Sequence, residues 1–210
     1  ETLRLLFDLR KETHNLWVEV STTISKYNYK EFESIHDYIL KNFDVDNHVT
    51  LYARGKTKEN DATDVPIECY TKCKKIIQRD WGASNHVHQK SISAVRDIVM
   101  DEVDRELVEN TYNHDCSAGQ KFIEIYQDGK VVSCEVLETL LEEADTSMGN
   151  IKDFDCDIQK LLESNKAKNI VNYIKQSKCH CTFECPKYTD VVYNKKFYQK
   201  LVKNLVNKHF

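Results

Sequence analysis

Three of the eight cysteines of this chain fall within seven positions, at Cys179, Cys181 and Cys185 of the stretch CHCTFECPKY. Cysteine buries well as a small apolar side chain, so a tight corner of a core is one account of the stretch. The other is that the sulfur itself is used, as metal ligand or reactive thiol. A length of 210 residues, with 40% hydrophobic and 30% charged, suffices for one or two cores and needs no disulfide framework. No window approaches the roughly 18 consecutive apolar residues of a membrane span, and the opening ETLRLLFDLRKE lacks a signal-peptide core. The expected compartment is therefore cytoplasmic, where cysteines serve metal binding, catalysis or plain burial before disulfides. A formal charge of −4 and a pI near 6.1 supply no basic field, so neither nucleic acid nor an anionic membrane is an expected partner.

The first half alternates helical and strand patterns. Leu3, Leu5, Leu6 and Leu9 form a helical stripe, and LWVEVSTTIS, residues 16 to 25, has the β-branched texture of a strand. Phe32, Ile35, Ile39 and Phe43 recur at helical spacing behind Asn28 and Glu31, a cap followed three residues later by a carboxylate; HVTLYARG, residues 48 to 55, is a second strand. This order predicts an α/β fold with a parallel sheet and covering helices. Helices are predicted over 64 to 80 and 88 to 109, the latter with Ile92, Val95, Val99, Val103 and Leu107 as its buried stripe. The texture changes near residue 112. Beyond it, CSAGQKFIEIYQDGKVVSCEVL predicts a hairpin with a two-residue turn at Asp128-Gly129, followed by an acidic helix or connection, a glycine turn at SMGNIKDF, two short helices over 155 to 164 and 166 to 177, and a basic amphipathic tail helix. The expected domains are 1–111 and 112–210. Because Glu1 opens on a helical pattern already running, the sequence is expected to be a piece of something longer.

Alternate side chains of an extended segment share a face, so Cys179 and Cys181 point one way, and Cys185 joins Cys181 if the corner turns helically. Cys116 and Cys134 flank the hairpin and supply further donors. A turn centred on Asp128-Gly129 sets Cys134 opposite Ile123, so the SAG segment has to bend back, for which Gly119 is suited. Structural zinc draws thiolates as closely spaced pairs from two knuckles, whereas an iron–sulfur cluster accepts scattered cysteines; the spacing leaves both open.

The run from Cys116 through the Asp-Gly hairpin to Gly129-x4-Cys134, then MGNI and Cys181-x3-Cys185 closing on FEC, resembles the C-terminal auxiliary-cluster region, of SPASM or twitch type, of radical S-adenosylmethionine enzymes. VEVSTTISKYN, the helix after it and HVTLYARG resemble late units of that family's partial (β/α)6 barrel. The resemblance implies the C-terminal part of such a barrel over 1–111 and, over 112–210, a small α+β domain holding one auxiliary [4Fe–4S] cluster, with Cys116, Cys134, Cys179, Cys181 and Cys185 as metal-ligand candidates. It further implies that Thr23, Ser25 and Arg54, at the ends of parallel strands, lie near S-adenosylmethionine or substrate. Plain strand termini and a surface ion pair are the alternatives for these three. Also implied are a peptide, protein or small-molecule substrate and an electron donor such as flavodoxin or ferredoxin.

Two departures stand out. The Cys-x3-Cys-x2-Cys loop that defines the family is absent: CYTKCKKI carries Ile76 where its third cysteine belongs, and Cys69 and Cys73 read as helix residues. The cysteines also suffice for one auxiliary cluster where the full family corner supports two. The alternatives are a zinc-stabilised binding module without catalysis and a cysteine-rich helical domain without metal. His86 and His88 read as loop residues, and no phosphate loop, Gly-x-Ser-x-Gly elbow or His-Glu-x-x-His helix supports a hydrolase.

Overall fold

A computed structural model describes residues 1–13, 15–55, 57–59, 61–81, 87–110, 115–141 and 145–209. The fold is mixed α/β with small sheets. It divides into two units, Glu1–Asp97 with Val202–Phe210, and Ile98–Leu201. The boundary expected near residue 112 and His86 lie outside the described residues. Among the described residues no helix is long and apolar enough to cross a membrane.

In the first unit, helix α1 (Thr2–Glu12) leads to strand β1 (Glu19–Ile24), which pairs in parallel with β2 (Asn47–Tyr52) through helix α2 (Phe32–Asn42). A parallel pair needs such a crossover. The register Val20↔His48, Thr22↔Thr50, Ile24↔Tyr52 puts Val18, Ile24, His48, Thr50 and Tyr52 in the core, while Glu19, Ser21 and Thr23 on the opposite face of β1 are exposed. Helix α3 (Ile67–Trp81) packs on β2 with Tyr70 and Ile77 fully buried, Tyr70 meeting Tyr52 edge-on at 5.9 Å. Asp46 ties the chain at the head of the sheet, accepting from the Val18 N–H at 2.6 Å and from Arg10.

Helix α4 (Val87–Glu109) buries Val99 and Val103 of the predicted stripe, but its buried surface is wider than that stripe. Ile92 is exposed, and the buried positions are Ser93, Ala94, Arg96, Ile98, Val99, Met100, Glu102, Val103 and Glu106. Arg96 occupies a core position because its guanidinium finds partners, donating to Asn47 at 3.0 Å and Asp97 at 3.2 Å, and the Asn47 amide in turn donates to Glu19 at 2.7 Å.

The second unit is built on an antiparallel sheet ordered β3 (Glu124–Ile125), β4 (Lys130–Val132), β5 (Ser147–Asn150). The glycine turn predicted at SMGNIKDF is instead this third strand and a 3-10 turn at Ile151–Phe154, because Met148 fills the core beside Val131, Leu161 and Ala167. The hairpin also differs from the two-residue turn predicted. Tyr126 pairs with Lys130, its N–H donating to the Lys130 carbonyl at 2.8 Å, and only Gly129 has positive φ, at +93°. This is a three-residue loop with glycine in the left-handed position. The shift by one residue sets Cys134 opposite Phe122 rather than Ile123, exchanging the faces of the strand. Four further helices follow: α5 (Glu135–Leu140), α6 (Ile158–Glu163), α7 (Asn165–Gln176) and α8 (Glu184–Tyr193), and α9 (Tyr198–His209) closes the chain. Asp157 and Ser164 cap α6 and α7 through their side-chain oxygens, the short-range chemistry that fixes where these helices start.

Candidate functional site: a buried thiol cluster

The four cysteines at 116, 134, 179 and 181 come from three separate segments. Cys116 precedes a tight turn in which the Gly119 N–H donates to the Phe122 carbonyl at 2.7 Å, and Gly119 has φ +78°. A Cβ at Gly119 would lie 3.1 Å from Val171 and 3.3 Å from Ser133, so the turn sits directly against the residue before Cys134. Cys134 leaves β4 and opens α5. Cys179 and Cys181 follow α7, whose end is turned by Lys178 at φ +51° and by the Cys179 N–H donating to the Ile174 carbonyl at 3.1 Å.

These segments meet around one apolar cluster of Ala118, Cys134, Val136, Leu137, Ile174 and Phe183, against which Cys116, Cys179 and Cys181 also pack. Phe183 stands edge-on to Phe122 at 6.0 Å, walling the site. Cys116, Cys179, Cys181 and Phe183 line a cleft with Glu106, Lys187 and Asp190. Cys185 lies on α8, which starts at Glu184, so no helical turn links it to Cys181. The helix buries Glu184, Lys187, Asp190 and Val191, and Cys185 is exposed off that face.

Burial is the first influence on the Cys116, Cys134 and Cys179 thiols. It pushes Cys116 up to about 12 and Cys134 to about 11, and raises Cys179, and the neighbouring sulfurs push the same way. Burial thus favours the neutral thiol at Cys116, Cys134 and Cys179. Two hydroxyls adjoin the site in sequence, Ser117 beside Cys116 and Ser133 beside Cys134. Both are buried and have no hydrogen-bond partner among the described residues. Among the described residues no group of three or more His, Cys, Asp or Glu side chains is arranged to hold a single metal ion.

Cys69 and Cys73 lie on α3, half-buried and buried; burial raises both, Cys73 to about 12. Together with Lys30, Lys72 and Lys75 they line a cavity of about 500 Å³, far in sequence from the thiol cluster. Thr23 is exposed on β1. The Ser25 N–H donates to the Asn28 side chain at 2.8 Å, and the Asn28 amide donates to the Thr23 carbonyl at 2.8 Å, so Asn28 closes the strand end. Arg54 is half-buried, its guanidinium near the Tyr52 carbonyl at 3.3 Å. These three residues belong to the first unit and the cysteines of the cluster to the second.

One chain of groups escaped the sequence reading. Thr22 Oγ1 lies 2.8 Å from His48 Nε2, His48 Nδ1 lies 2.7 Å from His36 Nδ1, and His36 Nε2 lies 2.9 Å from Asp80 Oδ2. Both imidazoles are fully buried and stacked at 5.0 Å. Neutral tautomers satisfy every bond: Thr22 donates to His48, His48 to His36, and His36 to Asp80. The only signal for it was that His36 shares a helix face with Phe32 and Ile39.

Compared with protein-family models, curated proteins and solved structures, the chain matches none.

Proposed function

We propose that this chain is the C-terminal portion of a radical S-adenosylmethionine enzyme, and that its second unit holds one auxiliary [4Fe–4S] cluster through Cys116, Cys134, Cys179 and Cys181. The observation that carries this is the gathering of four thiols, Cys134 buried and the other three half-buried, from three segments around one apolar cluster, with the buried Ser117 and Ser133 hydroxyls next to two of them in sequence and without hydrogen-bond partners among the described residues. Tetrahedral zinc with bonds near 2.3 Å needs its sulfurs about 3.8 Å apart. A four-iron cluster gives each thiolate its own iron and spreads the four more widely. Four cysteines from three segments packed around one apolar cluster supply one thiolate for each iron.

Such a cluster supplies one-electron chemistry, and with a thiolate on each of its irons it has no open position for substrate. Electron transfer is then the role in this reading, with flavodoxin or ferredoxin as the class of donor. The chain's own residues do the rest. Phe122 and Phe183 exclude water, and the Asp190 carboxylate fixes the backbone beside Cys116 by accepting from the Ser117 N–H at 2.8 Å. The parallel pair β1–β2 with its crossover helix supports the partial-barrel reading of the first unit. There the exposed face of β1, bearing Thr23, is the side offered to S-adenosylmethionine or to a peptide, protein or small-molecule substrate.

Anaerobic iron and acid-labile sulfide analysis tests the proposal. About four of each per chain are expected, lost in Cys134→Ser and Cys179→Ser and retained in Cys185→Ser. Zinc without sulfide would replace the proposal with a zinc-stabilised binding module. Retention in Cys179→Ser with loss in Cys185→Ser would move the fourth ligand to α8.

A further inference from the structure

Beside the thiols lies a buried pair of opposite charges that the cysteine chemistry does not itself require. Lys187 Nζ is 2.6 Å from Glu106 Oε2, and their side chains are 6% and 3% exposed. Both groups line the same cleft as Cys116, Cys179 and Cys181, and both act electrostatically on the Cys179 thiol. A third buried charge, Asp190, faces the cleft from one turn along α8. Burying an ion pair costs desolvation that its mutual attraction seldom exceeds, so a pair of apolar residues would serve stability at least as well at this place. What apolar residues lack is a field at the sulfurs. In a site screened from water each fixed charge acts at far closer to its full strength than it would at the surface.

We propose that Lys187 and Glu106 set the reduction potential of the cluster held by these cysteines, with Lys187 favouring the reduced state and Glu106 the oxidised one. The inference rests on the proposed function. Four thiolates around a [4Fe–4S] core make the site anionic, and uptake of one electron makes it more so. The electron comes from the external donor, no bond is broken, and no proton is required. A cation beside the sulfurs stabilises the extra negative charge, and a carboxylate opposes it. The two are linked by their own ion pair, so their separate effects nearly cancel.

Redox titration of the anaerobically reconstituted chain, followed by the electron paramagnetic resonance of the reduced cluster, tests this. Lys187→Met is expected to shift the oxidised-to-reduced equilibrium at least tenfold toward the oxidised form, about 59 mV downward for a one-electron couple. Glu106→Gln is expected to shift it upward by a similar amount, and the double variant to return near the parent value. A structural role for the pair would move both single variants in the same direction, or neither, and would overturn the proposal. If Lys187→Met fails to fold, Glu106→Gln alone decides, since a downward or absent shift refutes the assignment. A parent chain that takes up no iron and sulfide removes the cluster and this inference with it. A loaded cluster without opposite shifts removes the inference alone.

Discussion

Acidification should unlock the first unit at its histidine chain. Burial, with His36 as a second cause, depresses His48 from its ordinary 6.5 to about 4, and burial lowers His36 as well, with Asp80 opposing. The geometry explains why. The 2.7 Å contact between the two Nδ1 atoms holds one hydrogen, so the pair accepts a single added proton, with the Thr22 hydroxyl turning to accept from His48 Nε2; a second proton sets two N–H groups face to face. In the unfolded chain both imidazoles titrate freely. Between the two values the unfolded state therefore binds more protons, and stability rises with pH. The contribution of His48 is complete above 6.5 and lost as pH falls toward 4, amounting to about 2 kcal/mol between roughly pH 7.5 and pH 5. His36 adds in the same direction. Urea unfolding followed by circular dichroism across this range measures the slope. His48→Gln keeps a hydrogen-bonding group without the titration and should remove most of that slope, whatever it costs in stability at neutral pH. A variant with the parent's slope would refute the linkage.

Gly129→Ala puts a Cβ 2.6 Å from Asn150 Oδ1 at a φ of +93°, and should cost about 1–3 kcal/mol in urea unfolding; an unchanged midpoint would show that the loop relaxes at no cost. Asn47→Ala removes one of the two side-chain acceptors described for the 2%-exposed Arg96 and a donor to Glu19, and should cost about 2–3 kcal/mol in the same assay, a loss under about 0.5 kcal/mol refuting the role given to the network.

Periodicity made the first unit legible. The alternation of β1 and β2 and the apolar spacing of α2 located those elements within a few residues, because one face of each is buried and the other is not. Helix α4 was legible in extent and in the burial of Val99 and Val103, but its buried positions also include Arg96, Glu102 and Glu106, which a hydrophobic stripe assigns to water. The hairpin turn was placed correctly and its length misjudged by one residue, since Asp-Gly serves two-residue and three-residue loops alike. Strand β5 was invisible, being four residues with a glycine and an asparagine that pair only once β4 is present. Of the site, spacing along the sequence singled out Cys116, Cys134, Cys179, Cys181 and Cys185 as ligand candidates. It could not show that α8 begins after Cys181 and leaves Cys185 exposed, nor that Glu106, some eighty residues earlier, supplies the partner of Lys187.

The three-segment origin of the thiols has a consequence for how the second unit endures. Cys116 and Cys181 bracket roughly 65 residues that include the whole small sheet and helices α5 to α7. Any group bound to all four sulfurs works as a cross-link over that span. Closing a loop of such length removes chain entropy worth about 4 kcal/mol from the unfolded state, as a disulfide there would. The occupant would then be a staple for the unit as well as its chemistry, and oxygen or chelators that strip it would loosen the sheet, both glycine turns and the buried charges in one event.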